Sequence, residues 1–141
     1  MELFFIHRFW IAVLCVLVSC KKNTESAIPY VSVNFYIYTS DPDFIDLNAV
    51  GGWTYVTGGS RGIIIYRYSN TEFKAYDRHC TYNPSNSCAL ISVDVNNIQA
   101  SDVCCGSIFS LIDGSVNNGP AGFPLKQYQT SFDGSRLHVY N

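Results

Sequence analysis

From residue 31 onward the chain alternates. In VSVNFYIY (31–38), Val31, Val33, Phe35 and Ile37 fall on one side and Ser32, Asn34, Tyr36 and Tyr38 on the other, the period-two pattern of a strand with one buried face. A short aromatic strand follows in GGWTYVTGG, bracketed by Gly51-Gly52 and Gly58-Gly59, which read as bends. GIIIYRYSN (62–70) carries the strongest strand signal, and Asn70 opens a turn before EFKAYDRH, so two adjacent strands are predicted there. ALISVDV (89–95) alternates again, and IFSLIDGS (108–115), PLKQYQTSF (124–132) and RLHVYN add three more strands. Asp41-Pro42 signals a turn, while Asp113-Gly114 and Asp133-Gly134 signal hairpins. No stretch of about ten residues in this part combines helical period with caps. The pattern predicts an all-β domain.

The N-terminal pattern differs. FWIAVLCVLV (9–18) follows His7 and Arg8 and runs into Ser19-Cys20, which reads as an export signal and the one helix expected. The apolar run is shorter than the roughly 20 residues an ordinary membrane-spanning helix needs, and the polar KKNTES follows it. Leu17-Val18-Ser19-Cys20 resembles the bacterial lipobox, which implies a signal peptide over 1–19 and a lipidated Cys20. KKNTESAIP (21–29) then serves, with Cys20, as a flexible tether over 20–29 to a domain spanning 30–141. This reading places the protein in the bacterial cell envelope, lipid-anchored at the outer membrane with its domain in the periplasm or at the surface. Its partners are then the membrane, through the lipidated N-terminus, and an envelope protein.

Composition narrows the function classes. At 141 residues the chain has room for one domain of this kind. Its 9 Lys+Arg against 11 Asp+Glu give no basic field for phosphates, so nucleic acid is not an expected partner. Of the 6 cysteines, one lies in the signal and Cys20 is assigned to lipid. Cys80, Cys88, Cys104 and Cys105 are left, with three possible pairings. Export favours disulfides, and a structural metal site competes for the same thiols.

Two segments hold these cysteines: AYDRHCTYNPSNSCALISV (75–93) and SDVCCGSIFSLIDGSVNNGPAGFPLKQY (101–128). Gly106, Ser107 and Phe109, then Asp113-Gly114, Gly119-Pro120-Ala121, Pro124-Leu125 and Tyr128, follow the spacing of a cluster-binding loop and its return strand. Here the chain resembles the Rieske iron–sulfur family over about residues 30–141, most strongly over 75–128. The resemblance implies a Rieske-like fold, a β-sandwich with a cysteine-bearing two-loop subdomain.

The ligand positions depart from the family. Cys80 stands at the first ligating cysteine, but Tyr82 occupies the first histidine position, Asp102 the second cysteine and Cys105 the second histidine. A Rieske centre holds one iron through two thiolates and the other through two imidazoles. His79 and His138 are the histidines of the domain, and His138 lies in the last predicted strand. The resemblance also implies a Cys88–Cys104 disulfide clamping the loops. Three fates then remain open for Cys80 and Cys105. They form a second disulfide, they join Cys88 and Cys104 in a four-thiolate site for zinc or iron, or they hold an altered two-iron cluster with Tyr82, Asp102 or His79, with free or alternately paired thiols as the remaining case. Neighbouring side chains on an extended Cys104-Cys105 segment point apart, which favours two bridges.

Other features have ordinary readings. His79 beside Cys80 is a loop histidine rather than a catalytic partner, and no C-x-x-C motif or βαβ context points to a thiol oxidoreductase. The glycine-rich segments lack the strand-to-helix context of a nucleotide cradle. Tyr36, Tyr38, Trp53, Tyr55, Tyr66 and Tyr68 suit sheet packing. The expectation is a non-enzymatic lipoprotein whose domain has lost its two-iron two-sulfur cluster, holds no cofactor, and acts as a structural or interaction module. The alternative is an electron-transfer protein with an atypical iron–sulfur, zinc or other metal centre.

Overall fold

Three consecutive isoleucines set the architecture. Ile63, Ile64 and Ile65 are all fully buried, yet they alternate: Ile63 and Ile65 enter one core, and Ile64 with Tyr66 enters another. A strand apolar on both faces must lie between two layers, and every other element is arranged around it. The computed structural model describes residues 28–141. The expected signal peptide, the lipidated Cys20 and most of the tether lie outside the described residues.

Among the described residues, ten strands form two antiparallel sheets. Six make the larger sheet: β1 (Asn34–Tyr38), β2 (Trp53–Val56), β3 (Ile63–Arg67), β4 (Phe73–Asp77), β9 (Gln127–Phe132) and β10 (Arg136–Tyr140). Their order is β1-β10-β9-β4-β3-β2. The smaller sheet runs β5 (Ser92–Val93), β6 (Gln99–Ser101), β7 (Ile108–Ser110) and β8 (Val116–Asn118) in sequence order. The large sheet curls around Val33, Ile37, Leu47, Phe73, Tyr128, Leu137 and Val139. Its opposite face packs through Ile64, Tyr66 and Tyr76 against Ile91, Ala100, Phe109 and Leu111 of the small-sheet region. The result is a curled sandwich with the cysteine loops at one end of the second core.

Most predicted strands are present, with shifted limits. The alternation over 31–38 holds, with Val33 and Ile37 buried and Tyr36 and Tyr38 exposed, but regular pairing begins at Asn34. Residues 31–33 are instead tied to the C-terminus: Asn141 Nδ2 donates to Val31 O at 2.9 Å, and Asn141 Oδ1 accepts from Val33 N at 3.0 Å. A 3-10 helix over Pro42–Asn48, capped by Asp41 and buried at Leu47, occupies a segment read as a turn. Strands β6 and β8 lie in segments not read as strands. Among the described residues no helix is long and apolar enough to cross a membrane.

Candidate metal centre

The first loop leaves β4 and carries Cys80 into the second core, where the side chain is fully buried. Cys80 N donates to Ala89 O at 3.2 Å, which folds the loop back on itself. The second loop links β6 to β7 and is a tight turn. Asp102 N donates to Ser107 O at 3.0 Å, and Gly106 N donates to Asp102 O at 2.8 Å. Gly106 closes the turn with φ of 77°, a conformation that costs a side-chain-bearing residue more than glycine. Asp102 Oδ1 accepts from Cys104 N at 2.8 Å, so the carboxylate is fixed by its own turn.

The turn brings Cys105 against Cys80. Their sulfurs stand 3.8 Å apart, and Cys105 Sγ lies 3.4 Å from Asp102 Oδ2. One donor atom from each of Cys80, Asp102 and Cys105 lies within 4.8 Å of the others, the one such group among the described residues. Cys105 Sγ also meets the backbone N–H of Ser107, two residues further on, at 3.4 Å. A backbone donor in this place favours sulfur carrying negative charge.

Burial pushes the Cys80 thiol well above its ordinary range, and its hydrogen bond with Asp102 pushes the same way, while the Tyr82 N–H opposes them. Two thiolates and a carboxylate gathered within a few ångströms would require a positive ion between them.

Cys88 and Cys104 are joined as a disulfide across the loops, with Cα atoms 5.8 Å apart. Cys104 and Cys105 do point apart, Cys104 to the bridge and Cys105 to Cys80. Cys80 and Cys105, however, are free thiols, so the structure does not contain the second bridge. The four-thiolate site is excluded in this arrangement because two of its four sulfurs are spent on the disulfide.

A Rieske centre does not fit the remaining donors. His79 is turned away: Nε2 lies 2.7 Å from Pro84 O and Nδ1 2.9 Å from Ser60 Oγ. A carbonyl only accepts, so Nε2 carries a proton toward Pro84 O, and Nδ1 is occupied by the Ser60 hydroxyl. His138 sits on the outer face of β10, stacked between Tyr36 and Tyr140. Tyr82 is 42% exposed and lines a cavity of about 260 Å³ together with Asn86, Asp102, Cys105 and Pro120. The structure thus brings together Cys80, Asp102 and Cys105, with Tyr82 lining the adjoining cavity. A larger, open depression of about 960 Å³ lies beside Trp53 and Asp46, away from the sulfurs.

Residues that sequence reasoning did not single out hold the loops. Arg61 donates through Nη1 to Ser87 O (2.9 Å) and Ala89 O (3.0 Å), and through Nη2 to Asn86 O (2.8 Å). One guanidinium thereby clamps the Asn86–Ala89 segment. Beneath it the buried Asp77 accepts from Ser60 N (2.7 Å), Arg61 N (3.3 Å), His79 N (2.8 Å) and Tyr128 OH (2.6 Å). The Gly58-Gly59 pair was the available signal. A Cβ on Gly59 would stand 2.6 Å from both Asp77 Oδ2 and Tyr128 OH.

The second loop has its own close approach. Gly119 has φ of +100°, and a Cβ there would lie 2.8 Å from Gly106 O and 2.9 Å from Ser107 N. Gly119→Ala is expected to destabilise the domain by about 2 kcal/mol, from backbone strain plus overpacking. A denaturant midpoint unchanged from the parent protein would show that the turn yields without cost.

No protein-family model and no curated protein matches the chain. Among solved structures it is similar to the cyanobacterial plasma membrane Rieske protein PetC3 from Synechocystis PCC 6803. The two share 24% sequence identity and a TM-score of 0.55, over 70% of this chain and 95% of that one. The likeness establishes a Rieske-like fold, and within it the ligand positions form a non-canonical Cys/Asp/Cys cluster.

Proposed function

We propose that this chain is a lipid-anchored electron carrier of the bacterial envelope, with a metal centre at Cys80, Asp102 and Cys105. One observation carries the reading: two free thiols and a buried carboxylate converge between loops braced by a separate disulfide. A domain that had abandoned metal would have no need to keep these three groups pooled and unbridged. The reading therefore moves from the expected cluster-free interaction module to its alternative. The lipobox resemblance supports attachment to a membrane, and the fold's likeness to a plasma membrane Rieske protein is consistent with a redox partner there.

The test is metal analysis, visible absorption and voltammetry on the full-length protein, exported in cells and purified anaerobically. A bound iron or other redox metal with a reversible wave is the expected result, lost in Cys80→Ser. A metal-free protein without a wave would return the domain to a disulfide-braced interaction module. Uptake must also depend on pH. The ion displaces the proton of Cys80, whose affinity for it is raised by burial and then by Asp102. Apparent metal affinity should fall as pH falls, about tenfold per pH unit for each proton displaced. A flat profile from pH 6 to 8, on the order of two units of range, would mean that Cys80 is not a ligand.

A further inference from the structure

The fold implies two irons, but the donors describe one ion. A two-iron centre spreads four ligands over two metals, so ligands on different irons stand farther apart than ligands on one. Here Cys80, Asp102 and Cys105 offer atoms all within 4.8 Å of one another. A metal–sulfur bond of about 2.3 Å in tetrahedral geometry places two thiolates about 3.8 Å apart. The two sulfurs are 3.8 Å apart.

The direction of approach is also built. Cys80 is fully buried and does not line the cavity, whereas Asp102 and Cys105, with Tyr82, line its volume of about 260 Å³. Three protein ligands with an opening on the fourth side resemble sites that keep a position for water or substrate, rather than closed structural sites. The donor set of two soft sulfurs and one oxygen selects thiophilic first-row ions over magnesium or calcium.

We infer that Cys80, Asp102 and Cys105 bind a single thiophilic divalent cation, zinc or iron(II), with an exchangeable fourth position opening into the cavity lined by Tyr82. This rests on the proposed metal centre and specifies its nuclearity and its open side. It does not rest on electron transfer, because a zinc ion would satisfy it.

Anaerobic titration of the full-length protein with cobalt(II), followed by zinc displacement, tests it, with the Cys88–Cys104 bridge confirmed intact by mass. One equivalent should bind, with a tetrahedral cobalt spectrum and thiolate charge-transfer bands. Cys80→Ser and Cys105→Ser should each remove about half of that charge-transfer intensity, one of the two sulfur ligands. Asp102→Asn should weaken binding roughly tenfold or more. Azide should shift the cobalt bands if the fourth position is open, and unmoved bands would remove that part. Two irons with matching acid-labile sulfide would overturn the single-ion inference while leaving electron transfer standing. A one-equivalent zinc site without redox activity would do the reverse, and a protein that takes up neither metal would sink both.

Discussion

Replacing Asp77 with alanine is expected to destabilise the domain by about 4 kcal/mol, because it strands several buried donors at once. The carboxylate is fully buried and accepts from three backbone N–H groups and the Tyr128 hydroxyl. Burial, and then the hydrogen bond to Asp77, hold the Tyr128 phenol above its ordinary range, so it remains a donor. Without the carboxylate the Ser60, Arg61 and His79 amides lose their acceptor together. At roughly 4 °C per kcal/mol for a domain of this size, the melting temperature should fall by about 15 °C. Tyr128→Phe removes one donor and leaves the others paired, so it should cost only about 1 kcal/mol. Thermal denaturation of the two variants beside the parent protein makes the comparison. Equal losses would show that the phenol, rather than the amide cluster, is the centre of the network.

The consequence reaches the candidate metal centre through two neighbours. Ser60 holds the His79 ring by its hydroxyl, and Arg61 holds the first cysteine loop by its guanidinium. Both backbone amides depend on Asp77. Cys80 is therefore positioned from a bend roughly twenty residues earlier in the chain as well as by its own loop.

That arrangement explains which parts were legible in the sequence. The β3 strand could be read from its isoleucines and the β9–β10 hairpin from Asp133-Gly134, because apolar period and turn chemistry are local. Strands β6 and β8 could not, since QAS and VNN carry little strand propensity and are strands by pairing alone. The 3-10 helix had a readable start in Asp41-Pro42, a cap followed by proline at the first helical position, although seven residues fall below the length at which helical period stands out. At the site, Cys80, Asp102 and Cys105 were reachable through the family resemblance. Asp77 and Arg61 were not: the Gly58-Gly59 pair signals a tight bend, but nothing local distinguishes a buried acidic hub or a carbonyl clamp from a solvated charge. The vicinal cysteines illustrate the limit from the other side. Their divergence was correctly expected, but it fixed only that the two sulfurs have different neighbours, not that the inner pair stays reduced.

Removing the outer pair should separate stability from site geometry. Cys88→Ala with Cys104→Ala opens a loop of sequence separation 16, for which the loss of unfolded-state constraint is about 3 kcal/mol. Neither loop should unravel. The first keeps the Arg61 clamp, and the second keeps the Asp102–Ser107 and Gly106–Asp102 backbone bonds and the Gly119 approach. What relaxes is the position of one loop relative to the other, and with it the spacing of Cys80 and Cys105, which sit on opposite loops. Affinity at the proposed metal site should therefore fall roughly 10- to 100-fold, as when the positioning partners of a ligand are lost, with the proposed stoichiometry of one ion unchanged. Denaturant unfolding and competitive cobalt titration of the same variant measure the two effects independently. A large stability loss with undiminished affinity would mean that the Asp77 and Arg61 network alone sets the ligand spacing. Loss of both stability and affinity would identify the bridge as the device that sets it, because Cys80 lies on the first loop, Cys105 on the second, and the bridge ties the two together.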